Sequence, residues 1–140
     1  MKKATRHFLK MKNIPEYMVV NVKQQPSKQS KYNECHDNAI LENERTGSWV
    51  VPGWLITEYI PGQGTWITPH SWNATKEGKD HYDTTPFRSF KDDPSIKEEY
   101  WGYEQDPSKY EYVIDQSIVG GGKGVVAEGF VLNIDQDKVA

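Results

Sequence analysis

The stretch from residue 53 to residue 73 reads GWLITEYIPGQGTWITPHSWN, and it decides the fold of this 140-residue chain. Its first part, Gly53 to Ile60, is rich in β-branched and aromatic side chains, which favour a strand. Pro61 to Gly64 holds a proline and two glycines, which is typical of a turn. Thr65 to Asn73 then predicts a second strand, so we expect an antiparallel hairpin with His70 on its second strand.

The segments on either side of this hairpin predict further elements. Residues 76–79 predict a turn, after which a strand at 81–84 returns beside the strand that carries His70. Upstream, Asn33 is a favourable N-cap for a main helix that ends near Gly47 and holds Cys35 in its first turn. Other strands are predicted over 17–22, 110–118 and 125–134, and minor helices over 4–12 and 94–101, the latter capped by Asp93. Together they predict a single α+β domain over residues 1–140, whose main helix carries the cysteine at its N-terminus and packs on an antiparallel sheet.

Composition predicts a soluble protein of a reducing compartment. The mean hydropathy is −0.81, but 5 Trp, 8 Tyr and 4 Phe can fill a small core. The single cysteine cannot form an intramolecular disulfide, and no run of residues approaches the ~18 apolar residues of a membrane-spanning helix. The first residues lack the apolar region of a signal peptide. We therefore expect a cytoplasmic protein with no membrane partner.

Charge is unevenly distributed, although the net charge is only −3. Residues 1–34 carry eight basic and two acidic side chains, whereas residues 92–115 carry eight acidic and two basic ones. A basic segment can bind nucleic acid, but this one lacks an Arg-rich or aromatic-interleaved pattern. We interpret both segments as solvated surface and do not expect nucleic acid as a partner.

Three side chains of complementary chemistry occur in order along these elements, namely Cys35, His70 and Asp83. A thiol, an imidazole and a carboxylate are the attacking group, the base and the orienting group of nucleophilic acyl transfer. At a helix N-terminus beside an imidazolium, a thiol has a lowered pKa. Strand alternation allows His70 and Asp83 to share one face of the sheet. We predict a Cys35–His70–Asp83 catalytic triad that uses no metal and no cofactor.

The oxyanion hole of such a site needs donors that face the developing negative charge. The backbone N–H of Cys35 is one donor, and a side-chain amide from the preceding loop is the natural second. Gln29 and Asn33 are the two candidates, although Asn33 is also the candidate helix cap.

The residues that follow His70 are assigned to substrate binding. Trp72 shares the face of His70, where it would cover the site and exclude water. Asn73 is the rival of Asp83 as orienting group, but strand alternation turns it to the opposite face. We therefore assign Trp72 and Asn73 to substrate contacts and keep Asp83 as the third member of the triad.

Four motifs resemble the papain-like and transglutaminase-like cysteine enzyme superfamily. They lie at residues 33–39 (NECHDNA), 53–54 (GW), 70–73 (HSWN) and 83–86 (DTTP), so the resemblance covers about residues 30–88. It implies a core in which the nucleophilic cysteine heads a helix and strands bearing His and then Asp follow. Cys35, His70 and Asp83 match that triad, and the whole chain also looks like a small phage or bacterial member. The resemblance implies a peptidase, amidase, transglutaminase or deamidase that acts on a protein or peptide substrate.

Two other interpretations stay open. A lone cysteine in a helix is often a small buried hydrophobe, in which case the chain would be a catalytically idle protein-binding module, such as an inhibitor or adaptor. Cys35, His70, His81 and Asp83 could also ligate zinc, but their spacing fits no common zinc motif.

Overall fold

A computed structural model describes residues 1–31, 34–57, 64–86, 90–92, 94, 97–101, 107–118 and 127–133. Over these residues the chain forms two α-helices and a seven-stranded sheet, which confirms the α+β class. The helices are α1 (Lys3–Lys12) and α2 (Cys35–Thr46). The strands are β1 (Val19–Val20), β2 (Val22–Gln24), β3 (Trp49–Thr57), β4 (Thr65–Ala74), β5 (His81–Asp83), β6 (Glu111–Ile114) and β7 (Phe130–Leu132). Among the described residues, no helix combines the length and apolar character needed to cross a bilayer.

The predicted hairpin is the centre of the sheet. β3 and β4 pair antiparallel without interruption from Trp49 opposite Ala74 to Thr57 opposite Trp66. The first strand therefore begins at Trp49, earlier than predicted, while its predicted end at 58–60 lies outside the described residues. β5 pairs antiparallel with β4, as predicted, with Asn73 opposite Tyr82.

The remaining strands wrap this hairpin into a nearly closed sheet. The strand order is β1-β6-β3-β4-β5-β2, with β7 added on β4. β1 and β2 thus lie at the two ends of the order, although only Asn21 separates them in the chain. β2 pairs with β5 in parallel, which corrects the expectation of a purely antiparallel sheet. β1 and β2 form a single extended segment that runs in one direction. The strands that it meets, β6 and β5, run in opposite directions, so the first pairing is antiparallel and the second is parallel.

Other predicted boundaries also change. In the predicted strand 17–22, Glu16–Met18 forms a 3₁₀ turn and pairing begins only at Val19. The strand predicted over 110–118 is shorter and spans Glu111–Ile114, because Gln116–Ile118 forms a 3₁₀ turn. Within the helix predicted over 94–101, the described residues form a 3₁₀ turn at Glu98–Tyr100, while residues 95–96 and the predicted cap Asp93 lie outside the described residues. Of the strand predicted over 125–134, the structure assigns Phe130–Leu132.

The two faces of the sheet bury two separate clusters. On the outer face, α1 covers an apolar cluster made of Phe8, Leu9, Trp54, Ile56, Ile67, Val113 and Ile118. The inner face is filled by Val51, Leu55, Trp72, Ala74 and Tyr112. Gly53 lies opposite His70 on this inner face, and a Cβ there would come within 2.0 Å of the Val113 carbonyl oxygen. Glycine is therefore required for β6 to approach β3 beside His70.

Candidate active site

Cys35 is the first residue of α2, as the sequence predicted. The N-cap is Glu34, whose side chain makes no capping bond, whereas the predicted cap Asn33 lies outside the described residues. The helix ends at Gly47, whose positive φ of 77° favours glycine. Four N–H groups at a helix start lack intrahelical partners and carry partial positive charge, so the position of Cys35 favours a sulfur anion.

Asn38 fixes the start of α2 against the strands. Its side chain bonds both the N–H and the carbonyl of Lys31, at 2.9 and 2.7 Å, and also donates to the Thr85 hydroxyl at 3.0 Å. It thus connects the loop before Cys35 to the segment after Asp83. Sequence analysis missed this role, although Asn38 lies within the quoted motif at residues 33–39.

The thiol of Cys35 hydrogen-bonds to the side chain of His70, and the backbone N–H of Ser71 also donates to the sulfur. The direction of this N–H follows from Pro52, the residue opposite Ser71 on β3. The Pro52 carbonyl accepts from Asp115 on the far side of β3, so the polar backbone groups of Pro52 and Ser71 point away from each other. Ser71 therefore offers its N–H at the edge of β4 that Cys35 occupies.

Asp83 completes the contact chain. Its Oδ2 lies 2.6 Å from Nε2 of His70, which leaves Nδ1 of the imidazole for the thiol. Its Oδ1 accepts the backbone N–H of Thr85 at 3.0 Å. His70 and Asp83 are 5% and 1% exposed, so both groups are shielded from water. The structure thus brings together the three side chains that the sequence placed in one site.

The electrostatics of the pair favour a thiolate and an imidazolium. Burial raises the pKa of the Cys35 thiol. The hydrogen bond and charge of His70, together with the Ser71 N–H, lower this pKa by more than burial raises it, so the net shift is downward. Burial lowers the pKa of His70, but the charge and hydrogen bond of Asp83, aided by Cys35, raise it to about 10. Both shifts favour a proton on the imidazole and a charge on the sulfur, which is the state in which the sulfur is nucleophilic.

Two further side chains extend this chain of contacts, and sequence analysis did not find them. The hydroxyl of Tyr112 on β6 donates to Oδ2 of Asp83 at 2.6 Å. The Tyr112 oxygen in turn accepts from Nε2 of Gln24 on β2 at 2.9 Å. Each comes from a strand that carries no member of the triad, and an alternating strand pattern does not distinguish Tyr112 from any other core aromatic.

The structure corrects the expectation that Trp72 and Asn73 contact a substrate, because both are 0% exposed. Trp72 stacks against His70, with ring centroids 6.4 Å apart, and so flanks the imidazole from within the sheet. The Asn73 side chain points to the other face, as strand alternation predicted, and donates to the Ala39 carbonyl at 2.9 Å and the Ser48 hydroxyl at 3.1 Å. Trp72 thus packs the site from behind, while Asn73 attaches α2 to β4.

Of the two predicted side-chain donors of the oxyanion hole, the structure describes only Gln29. Gln29 lies in a turn closed by the Ser30 N–H on the Ser27 carbonyl, and its side chain is exposed. The backbone N–H of Gln29 bonds the Ser27 hydroxyl at 3.3 Å. Its part in an oxyanion hole, and that of Asn33, stay predictions. His36, the sequence neighbour of Cys35, points instead to the Ser71 hydroxyl, 3.0 Å from its Nδ1.

The zinc alternative finds no support in the part of the chain that the structure describes. There, no group of three or more His, Cys, Asp or Glu side chains could hold a metal ion. The Nδ1 of His81 accepts the indole N–H of Trp72 at 2.9 Å, and burial lowers the pKa of His81. His81 therefore lies behind Trp72 as a hydrogen-bond acceptor.

Comparison with known proteins adds nothing to these contacts, since no protein-family model, no curated protein and no solved structure matches the chain. The superfamily resemblance therefore stays a prediction. Function has to be inferred from the chemistry of the site itself.

Proposed function

We propose that this chain is a cysteine-dependent acyl-transfer enzyme of the papain-like or transglutaminase-like kind, with Cys35, His70 and Asp83 as its catalytic triad. One observation supports the proposal above all. A thiol at a helix start bonds an imidazole whose other nitrogen lies 2.6 Å from a buried carboxylate. This arrangement of attacking group, base and orienting group is the one that nucleophilic acyl transfer requires.

The reaction has two steps. In the first, the sulfur of Cys35 bonds to the acyl carbon, the carbon–nitrogen bond of an amide breaks, and the imidazolium of His70 donates its proton to the departing amine. In the second, neutral His70 removes a proton from water or from an acceptor amine, whose oxygen or nitrogen replaces the sulfur at the acyl carbon. The second proton transfer and the departing thiolate restore the starting ion pair. Asp83 stays ionised throughout and holds the imidazole in one orientation.

The substrate we propose is an amide within a protein or peptide, at a peptide or isopeptide bond or at a glutamine side chain. Hydrolysis is our first choice, followed by transglutamination and deamidation, because one acyl-enzyme serves all three reactions and the acceptor decides the product. The backbone N–H of Cys35 is the first oxyanion donor in this scheme, with Gln29 or Asn33 as the second. A cytoplasmic location, as expected from the single cysteine, would keep the thiol reduced.

Alkylation by iodoacetamide near pH 7 tests the proposal. We expect Cys35 to react much faster than a free thiol of pKa ~8.5. His70→Gln should abolish that excess, because the imidazolium that stabilises the thiolate is lost. His36→Gln is the matched control, since it removes the adjacent imidazole without touching the sulfur, and it should keep the wild-type rate.

A second assay separates a reactive thiol from a catalyst. With p-nitrophenyl acetate, the wild type should release nitrophenolate over many turnovers and should show an acetyl group on Cys35 by mass spectrometry. Equal alkylation rates in wild type and His70→Gln, together with no turnover of the ester, would contradict the proposal. The chain would then be the idle protein-binding module, with a structural cysteine.

A further inference from the structure

We propose that Tyr112 is a positioning residue of this site, which acts on the thiol through Asp83 and His70 and is itself oriented by Gln24. The inference rests on the proposed function, because it concerns the same Cys35 thiolate. It extends the site to β2 and β6, two strands that carry no member of the triad.

The contacts form one unbroken series from β2 to α2. The Gln24 amide donates a hydrogen bond to the Tyr112 hydroxyl at 2.9 Å, and that hydroxyl donates to Asp83 at 2.6 Å. Asp83 is hydrogen-bonded to His70 at 2.6 Å, and His70 is hydrogen-bonded to Cys35. The Tyr112 ring is 1% exposed and lies 5.0 Å from the Trp72 ring in an edge-to-face arrangement. Tyr112 is therefore fixed by packing as well as by its hydroxyl.

The hydrogen bonds from Gln24 to Tyr112 and from Tyr112 to Asp83 are both donated towards Asp83. An ionised carboxylate only accepts hydrogen bonds, so the Tyr112 proton must point at Asp83. The hydroxyl oxygen then has only lone pairs left for Gln24, which must present its amide N–H₂ group. Gln24 thereby prevents the hydroxyl from turning away. Burial, with the charge of Asp83, also raises the pKa of Tyr112, so the hydroxyl keeps its proton.

The role follows from the burial of Asp83. A carboxylate that is 1% exposed has little water to solvate it, so its charge depends on donors from the protein. Among the residues that the structure describes, three groups donate to it, namely the Thr85 N–H, His70 and the Tyr112 hydroxyl. The hydroxyl and the Thr85 N–H also hold the two carboxylate oxygens in place, with Oδ2 facing Nε2 of His70. Without the hydroxyl, the carboxylate can turn away from the imidazole and then supports the imidazolium less well. The thiolate of Cys35 would then form only at higher pH.

The pH profile of iodoacetamide alkylation tests this role, measured from about pH 5 to about pH 10 on the full chain. In Tyr112→Phe we expect the thiol pKa to rise by about one unit, which slows alkylation near pH 6 about tenfold. The rate above the thiol pKa of both proteins should be unchanged. Tyr82→Phe is the matched control, because it removes the hydroxyl of another tyrosine, and that hydroxyl donates to Glu42 at 2.7 Å instead of to Asp83. Its profile should match the wild type.

Gln24→Leu provides a second variant at a half-buried position, and it carries the test if Tyr112→Phe does not fold. We expect a shift of the same sign and smaller size. An unshifted profile in the folded Tyr112→Phe protein, or in Gln24→Leu if that variant alone folds, would overturn the positioning role. Equal slowing at every pH would also overturn it, because that pattern indicates structural damage. If the wild type itself is alkylated no faster than His70→Gln, the proposed function fails as well. An unshifted Tyr112→Phe profile with fast wild-type alkylation overturns the positioning role alone.

Discussion

The two faces of the central hairpin β3–β4 are buried by different kinds of partner. On the outer face, Phe8 of α1 packs edge-to-face on Trp54 with ring centroids 5.2 Å apart, within an entirely apolar cluster. On the inner face, His70 lies among Asp83, Tyr112 and Trp72, and the closest contacts are hydrogen bonds. One pair of strands therefore carries an apolar core on one side and, on the other, an ionic network buried beside a second apolar cluster.

This difference separates stability from reactivity. Apolar burial stabilises the sheet in proportion to the area removed from water. The buried ion pair contributes less to stability, because desolvation of two charges opposes their attraction. Substitutions on the outer face should therefore change the free energy of unfolding, and those on the inner face should change the thiol chemistry.

The largest effect is expected at the inner face. Asp83→Asn should lower ester turnover by up to ~10⁴-fold, because the imidazole loses its orienting charge. Asn73→Ala, on the opposite face of β4, should keep turnover and instead cost about 1–3 kcal/mol of unfolding free energy through its lost bonds to Ala39 and Ser48. Circular dichroism checks that both variants fold. If Asn73→Ala proved more damaging to turnover than Asp83→Asn, Asn73 would be the orienting group.

At the outer face, the expected effect is on unfolding alone. Phe8→Ala should cost about 3–5 kcal/mol in urea denaturation, because it removes a fully buried ring. Met11→Ala on the same helix is exposed and should stay within about 0.5 kcal/mol of the wild type. The alkylation profile of Cys35 should be unchanged in both variants. A shifted profile in Phe8→Ala would show that the two faces are coupled.

The smallest expected effect is on the pH dependence of unfolding. The His70 pKa is raised from 6.5 to about 10, so its contribution is complete below pH 6.5 and is lost as pH rises towards 10. The Cys35 pKa is lowered from 9.0, so its contribution is complete above pH 9.0 and is lost as pH falls through the folded-state pKa. In the wild type these two changes offset each other between the folded-state pKa of Cys35 and pH 9.0.

Cys35→Ser exposes the imidazole contribution by itself. Its unfolding free energy should fall as pH rises from about 6.5 to about 9, by at most ~1.4 kcal/mol per pH unit. The wild type should change less over the same interval. Urea denaturation at several pH values measures both, and identical slopes would mean that the folded protein does not hold a thiolate.

Local pattern placed Cys35 at a helix start and His70 and Asp83 on one face of neighbouring strands, while their complementary chemistry and the superfamily resemblance predicted that the three meet. A helix start fixes the position of Cys35, and period-two alternation on neighbouring strands fixes which side chains share a face. The same alternation correctly turned Asn73 away from His70. These features depend on residues close together in sequence, so the hairpin and the face of each side chain follow from the sequence alone.

What the sequence analysis missed depends on how distant strands meet. Tyr112 and Gln24 reach Asp83 because β6 and β2 lie on either side of the central strands, and Gln24 is 88 residues from Tyr112 in sequence. No local pattern encodes the parallel pairing of β2 with β5. Trp72 was assigned to substrate contacts for the same reason, since the near closure of the sheet is what buries it.

The break at Asn21 sets the order in which reactivity can arise during folding. The segment that contains it must pair with both β6 and β5, so Gln24 joins the network only after residues 111–114 and 81–83 are in place. Contacts this distant in sequence form slowly, because long loops must close first. A nascent chain that has reached only β5 lacks Tyr112 entirely. Its cysteine therefore lacks the support of Tyr112, and full nucleophilicity arrives together with the completed native topology.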